Sequence, residues 1–209
     1  VDYVRKRFRI KKVGHCGTLD PIATGLLVLV LGKGTKLASH LTSQDKTYEG
    51  TMRLGAETST QDSEGDIIAE NGTASVTDES IRHTAEKFTG ELLQTPPMVS
   101  AIKTGGKRLY TMARKGETVE REPRQIYVSR FLVKHVDLPD VMIEVQCSKG
   151  TYVRTLCADL GAELGCGAYV TQLRRIESGS FHIKDAYTVD DISTWDHHTL
   201  LQKRIPLAA

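Results

Sequence analysis

The stretch from residue 141 to residue 176 changes its hydrophobic period twice, and this constrains the fold more than any other part of the chain. Val141, Ile143, Val145 and Cys147 alternate with Met142, Glu144 and Gln146, the period of a strand buried on one face. Val153, Leu156, Cys157, Leu160 and Leu164 then recur at helical spacing, which predicts an amphipathic helix of about three turns. Residues 168–176 return to a strand pattern. With a further strand expected near 125–136, the chain reads as α+β, a mixed or mainly antiparallel sheet with helices packed on it.

Earlier segments fit that layout. Residues 46–55 alternate as a strand that contains Tyr48, and residues 25–31 (GLLVLVL) read as one buried strand closed by Gly32 and Gly34. Thr77, followed by Asp78, Glu79 and Ile81, predicts a capped helix running to about Phe88. Leu109 to Arg114 suggests a short helix, and Thr188 opens another. No repeat interrupts the 209 residues, so one main domain spanning 1–209 is expected.

Several classes of function are excluded or weakened. The longest apolar run, Leu26 to Leu31, is too short to span a bilayer, and no charged-then-apolar leader opens the chain, so a cytoplasmic protein with no membrane partner is expected. Cys16, Cys147, Cys157 and Cys166 form neither a CxxC pair nor a zinc-ligand spacing and read as free buried thiols. The net charge of +2 argues little by itself. Its distribution says more: Arg5, Lys6, Arg7, Arg9, Lys11 and Lys12 crowd one end, and Lys103, Lys107, Arg108, Arg114, Lys115, Arg121 and Arg124 form a second basic stretch. Such runs either face a phosphate backbone or are solvated faces; charge alone does not decide.

The segment KKVGHCGTLDPIATGLL at 11–27 is the densest candidate for chemistry. Gly14, Gly17 and Gly25 allow backbone shapes closed to other residues, and Pro21 fixes the turn after Asp20. A carboxylate on so rigid a loop can meet a substrate; the alternative is an Asp-Pro turn in which Asp20 bonds its own backbone. A phosphate-binding loop is excluded because Gly32-Lys33 is followed by Gly34, with no glycine at the required spacing upstream. The run Asp62-Ser63-Glu64-Gly65-Asp66 departs from the calcium-loop pattern and reads as a surface turn. His197 and His198 lack partners at metal spacing, so no metal is expected. Arg154, at the start of the amphipathic helix, either faces solvent or phosphate or pairs with a buried carboxylate.

Six segments, taken together and in order, resemble the TruB family of tRNA pseudouridine synthases: GHCGTLDPIATGLL at 14–27, DKTYEG at 45–50, LGAETSTQDSEGDI at 54–67, TPPMVSAIKTGGKRLYTMARKGETVER at 95–121, CSKGTYVRTLCADLG at 147–161 and GAYVTQLRRIESGSF at 167–181. The resemblance covers nearly the whole chain. It implies a pseudouridine synthase fold with a central RNA-binding cleft, and as substrate the uridine at position 55 in the TΨC stem-loop of tRNA. It implies that Asp20 is the catalytic carboxylate and that Arg154 pairs with it. His15 then matches the histidine that enters the RNA loop, Tyr48 the tyrosine that stacks on the flipped base, Tyr152 the tyrosine two residues before the arginine, and Leu173 an apolar wall of the uracil pocket. Uridine and pseudouridine are isomers, so no cofactor is required; the carboxylate either attacks the substrate or promotes loss of the base as a glycal forms. If Asp20 is buried, its charged form needs a cation, which Arg154 would supply. Lys103, Lys107 and Arg108 are the expected grip on the RNA backbone.

The sequence departs from the family in two places. The usual Lys-Pro-x-Gly strand does not precede the first basic helix, and Val1 in place of Met suggests a start inside a longer protein. No segment after the last motif has room for the RNA-binding PUA domain that many relatives carry. A monomer acting on tRNA without an obligatory protein partner is expected. The alternatives are a non-catalytic tRNA-folding chaperone and a guide-dependent synthase within a ribonucleoprotein.

Overall fold

The computed structural model describes residues 1–206 apart from Ala101, Gly105, Arg114, Lys115 and Thr118, with Lys103, Thr104, Lys107 and Arg108 described by their backbone alone. Helix α1 (Asp2–Arg7) leads to three short strands, β1 (Val13–His15), β2 (Ala23–Gly25) and β3 (Leu29–Leu31), and a 3-10 turn at Gly32–Leu37 runs into α2 (Ala38–Ser43). Strand β4 (Lys46–Leu54) is followed by the hairpin of β5 (Ala56–Thr58) and β6 (Ile67–Glu70), then α3 (Asp78–Glu86) and β7 (Gly90–Gln94). A small hairpin, β8 (Lys103–Thr104) and β9 (Lys107–Arg108), precedes α4 (Leu109–Ala113) and the long strands β10 (Arg124–Asp137) and β11 (Asp140–Cys147). The last third holds α5 (Val153–Glu163), β12 (Ala168–Ser178), β13 (Phe181–His182), α6 (Val189–Thr194) and α7 (His197–Lys203).

The main sheet has seven strands, in the order β13–β12–β4–β11–β10–β7 with β2 joined to β12. All its pairs are antiparallel except β2 with β12, so the sheet is mixed but mainly antiparallel, as the sequence pattern predicts. The alternation read from the sequence puts Val141, Ile143 and Val145 on the same buried cluster as Met52 of β4 and Leu156 and Leu160 of α5. Helix α3 starts where expected, because Thr77 and Ser80 cap each other's backbone N–H groups reciprocally. All four cysteines are free and buried. Among the described residues, no helix is long and apolar enough to cross a membrane.

The run at 25–31 is not one strand. Gly25 takes φ +96°, and a Cβ there would lie 2.3 Å from the Arg175 carbonyl oxygen. The chain ends its parallel pairing with β12 at that point and turns, and Leu29–Leu31 then pairs with β1 instead. The apolarity of the run serves a second, smaller cluster of Cys16, Leu26, Val28 and Val30. Continuous apolar residues report burial but not how many partners share them.

Three separate segments dock along one edge of β12. Val170 meets Asp62 in an isolated parallel bridge, Leu173–Arg175 pair with Ala23–Gly25, and Glu177 and Ser178 pair with β13. The other edge of the strand is bonded to β4. Loops 17–22 and 59–66, distant in sequence, are thereby hung side by side on one strand.

Candidate active site

Asp20 lies between β1 and β2, in a turn closed by the Ala23 N–H donating to the Asp20 carbonyl oxygen at 2.9 Å. The Asp-Pro turn is therefore real, but the carboxylate is not used to make it. Its Oδ2 accepts from Arg154 Nε at 2.8 Å, across 134 residues of sequence. The side chain of Asp20 is 32% exposed and that of Arg154 only 1%. Burial therefore falls on the cation of the pair, the reverse of the sequence-based expectation, and leaves the carboxylate open to a substrate.

Arg154 does more than hold Asp20. Its Nη1 donates to the Thr60 carbonyl at 2.7 Å, its Nη2 to the Val99 carbonyl at 2.9 Å, and Asp62 Oδ2 stands 3.4 Å from Nη1. One planar guanidinium thus ties together three segments, a geometry that a lysine could not reproduce. It points inward because it occupies the first turn of α5, whose other residues Val153, Leu156, Cys157 and Leu160 are buried.

The structure overturns the surface-turn reading of Asp62. The residue is buried. Its Oδ1 accepts from the Thr60 hydroxyl and, at 3.1 Å, from the Glu64 N–H. The Ser63 N–H donates to the Val170 carbonyl, and the Val170 N–H to the Gln61 carbonyl. Acidic, glycine-containing sequence ordinarily lies in water; here β12 draws one carboxylate of the run inward while its neighbours stay outside. The spacing Thr-x-x-x-Asp within 58–62, with Thr58 and Thr60 both donating to Asp62, is a local signal of a self-bonded rather than solvated turn.

Asp20, Tyr48, Tyr152 and Leu173 converge on one cleft of about 80 Å³, completed by Thr18, Leu19, Ala23, Thr151 and Val153. A larger cavity, about 170 Å³ and lined by Phe88, Leu92, Ile126 and Leu156 among others, contains none of these residues. The smaller cleft is the better candidate because four separate segments aim chemistry into it. Burial holds the Tyr48 phenol above its usual pKa, and the Arg175 cation works against that shift. Burial likewise raises Tyr152, so both rings present neutral, half-buried faces beside Asp20. Leu173 is buried and registered opposite Gly50.

Tyr152 is placed by a residue that sequence reasoning missed. The Gln94 side chain donates to the Tyr152 carbonyl at 3.0 Å and accepts from the Tyr152 N–H at 2.8 Å. This two-way amide contact satisfies the backbone just before α5, which lacks a side-chain cap. Gln94 is buried at the end of an edge strand, and a lone glutamine carries no pattern that would mark it.

His15 is exposed at the end of β1, opposite Leu29 of β3, so this hairpin holds it clear of the core. Lys103, Lys107 and Arg108 fall on the β8–β9 hairpin, with Lys103 paired to Arg108 and Thr104 to Lys107; their side chains lie outside the described residues. Arg114 and Lys115, from the same basic stretch, also lie outside them. Among the described residues, no group of three or more His, Cys, Asp or Glu side chains is arranged to hold a metal ion.

Comparison with known proteins places this geometry. The family described as TruB family pseudouridylate synthase (N terminal domain) matches residues 5–153, and the tRNA pseudouridylate synthase B C-terminal domain matches residues 154–206. The boundary between them separates Asp20 from Arg154. The tRNA pseudouridine synthase B of Opitutus terrae is 45% identical over 204 residues, covering 98% of this chain and 85% of that protein. That of Burkholderia pseudomallei strain 668 is 47% identical over 194 residues, covering 92% of this chain but 64% of the relative. Among solved structures, a chain of a Cbf5–Nop10–Gar1 complex superposes with TM-score 0.72 at 29% identity, over 96% of this chain and 50% of that one. A chain of an H/ACA ribonucleoprotein bound to a substrate RNA containing 2′-deoxyuridine superposes with TM-score 0.69 at 25% identity, over 97% of this chain and 49% of that one.

Proposed function

The chain belongs to the TruB family of pseudouridylate synthases, and from that premise we propose that it converts the TΨC-loop uridine of tRNA, at position 55, to pseudouridine with Asp20 as the catalytic carboxylate. The observation that carries this reading is the partly exposed carboxylate held at 2.8 Å by a buried guanidinium, at the mouth of a cleft walled by Tyr48, Tyr152 and Leu173.

The reaction breaks the bond from N1 of uracil to C1′ of ribose, turns the base, joins C5 to C1′, and moves one proton from C5 to N1. The atoms balance without a cofactor. Asp20 assists departure of the base from C1′, whether it attacks or promotes glycal formation, and the Arg154 contact fixes its position while the base turns. A uridine stacked in an RNA loop must first be extruded. Tyr48 then offers the detached base a stacking surface, offsetting roughly 1–3 kcal/mol of the unstacking cost, and Leu173 closes the pocket with apolar contact. His15, exposed on its hairpin, enters the space the base vacates. Lys103, Lys107 and Arg108 grip the RNA backbone. The enzyme works on free tRNA in the cytoplasm as a monomer; in sequence it is more similar to the tRNA pseudouridine synthase B relatives, at 45–47% identity, than to the chain of the Cbf5–Nop10–Gar1 complex, at 29%.

The test compares this chain with its Asp20→Asn form on an unmodified tRNA transcript. The expected result is pseudouridine at position 55 with the parent alone and tRNA binding by both. Binding without product from the parent would favour the chaperone reading, and product only with added guide RNA and partner proteins would favour the ribonucleoprotein reading.

A further inference from the structure

Among the described residues, Arg175 is the second fully buried arginine, 1% exposed like Arg154. Among the described residues it has no carboxylate within ion-pair distance. Its charge is held by main-chain carbonyls: Nε donates to Leu26 O at 2.8 Å and Nη2 to Gly17 O at 3.1 Å. Those two carbonyls bracket the segment made of the Asp20 loop and β2: Gly17 at the start of the loop and Leu26 just past β2. The Arg175 backbone adds a third tie, its carbonyl accepting from the Leu26 N–H at 2.8 Å. In the sheet, Arg175 is registered directly opposite Tyr48.

We propose that Arg175 is a positioning residue for the reaction: it clamps the Asp20 loop and the β2 strand that follows it, at Gly17 and Leu26, to the strand that faces Tyr48, so that carboxylate and stacking platform keep one fixed separation. The inference rests on the functional reading above and extends it.

The physical reason lies in what a displaced loop would cost. A guanidinium in the interior must keep its hydrogen-bond acceptors, because water cannot replace them. If Gly17 or Leu26 moves away, a buried cation loses a partner, so the loop is confined far more stiffly than turn hydrogen bonds alone would confine it. The surroundings are cut to fit the clamp. Gly17 takes φ +102°, and a Cβ there would come within 3.3 Å of Arg175 Nη1; at Gly25 the strand approaches so closely that a Cβ would meet the Arg175 carbonyl. Lys46, also buried, passes under Gly17 and spends its ammonium on the carbonyls of Thr42 and Gln44, so it does not share the Gly17 and Leu26 carbonyls with Arg175.

The experiment measures single-turnover pseudouridine formation and tRNA dissociation constants for Arg175→Met and Arg175→Lys, well below each variant's unfolding midpoint. With the clamp open, Arg175→Met should lose about 100-fold in rate, the scale of an ångström of misplacement, while tRNA affinity stays within about threefold of the parent. Arg175→Lys reaches one carbonyl but not both and should fall in between. A role in stability alone would lower the midpoint and leave the rate per folded molecule unchanged. Parent-like turnover in the Met variant, or affinity lost in step with rate, overturns the proposal. If the Met variant does not fold, the Lys variant decides: parent-like turnover there overturns it equally. A parent that forms no pseudouridine would instead count against the functional reading, before any variant is compared.

Discussion

Replacing Arg154 by Met removes the cation shared by two carboxylates, and the structure says how that loss divides between folding and chemistry. Asp62 is 3% exposed, so without Arg154 its charge is stranded. Breaking a buried pair in this way costs about 3–5 kcal/mol, which in a domain of this size lowers the melting midpoint by roughly 6–20 °C. Asp62→Asn alone should cost only about 1–2 kcal/mol, because Asn keeps an acceptor for Thr60 and Glu64 and Arg154 retains Asp20 and two carbonyls. Combining the two removes the stranded charge. The double variant should therefore be more stable than the sum of the single losses by at least about 1 kcal/mol. Turnover should behave differently. Asp20 loses its 2.8 Å donor in Arg154→Met whether or not Asp62 is charged, so both the single and the double variant should show a fall of about 10²–10³ in rate, with tRNA affinity nearly unchanged. Thermal unfolding and single-turnover assays on the four proteins complete the cycle. Additive stabilities would refute the claim that Asp62 depends on Arg154. Turnover that recovered together with stability would refute the claim that Arg154 acts on Asp20.

Gly25→Ala places a Cβ 2.3 Å from a backbone oxygen at φ +96°; it should destabilise by more than the roughly 1–2 kcal/mol of the left-handed backbone alone and reduce turnover, both readable from one purified variant. Neutralising Lys103, Lys107 and Arg108 together should weaken tRNA binding and flatten the dependence of log affinity on log salt by about 2–3; an unchanged slope would remove them from the RNA interface. Burial pushes the Cys147 thiol up to about 12 and raises Cys157 well above the ordinary thiol range as well. In each case the folded pKa exceeds the unfolded one, so the associated stability is intact below about pH 9 and is lost as pH rises above it, at up to about 1.4 kcal/mol per thiol per pH unit. Midpoints measured from about pH 8 to about pH 10.5 should fall less steeply for a Cys147→Ala, Cys157→Ala protein than for the parent, and neither buried thiol should react with a thiol reagent in the native protein at about pH 8.

Periodic parts of the molecule are readable from the sequence. The faces of β11 and α5 and the start of α3 follow from spacing and capping residues that act locally. Asp20 and Arg154 stand out because a glycine-rich loop and an arginine on an apolar helix are each unusual, and the family resemblance links them. Residues whose roles come from neighbours remote in sequence are not legible in this way. The run at 25–31 serves two clusters because β12 takes one part of it and β1 the other. Asp62 is buried because Val170 captures its loop, and Gln94 matters because Tyr152 comes to lie beside it. In the sequence, Arg175 is one of two adjacent arginines on a strand. Strand alternation sends Arg174 to solvent and Arg175 inward, yet only the packed loop reveals that it holds carbonyls instead of an acid.

The edge of β12 on which both acidic loops hang has a consequence for the order in which the protein can come into being. As the chain leaves the ribosome, Asp20 and Asp62 emerge well before Val170 and Leu173, the strand segment that aligns them. Strand β4 must likewise wait for both of its partners, β11 and β12, and pairings so distant in sequence form late because closing the intervening loop is entropically costly. The nascent polypeptide therefore carries the carboxylate and basic hairpin early but has no assembled centre. On the function proposed above, the centre can be complete only once β12 has docked, so a half-made chain should be chemically silent toward RNA.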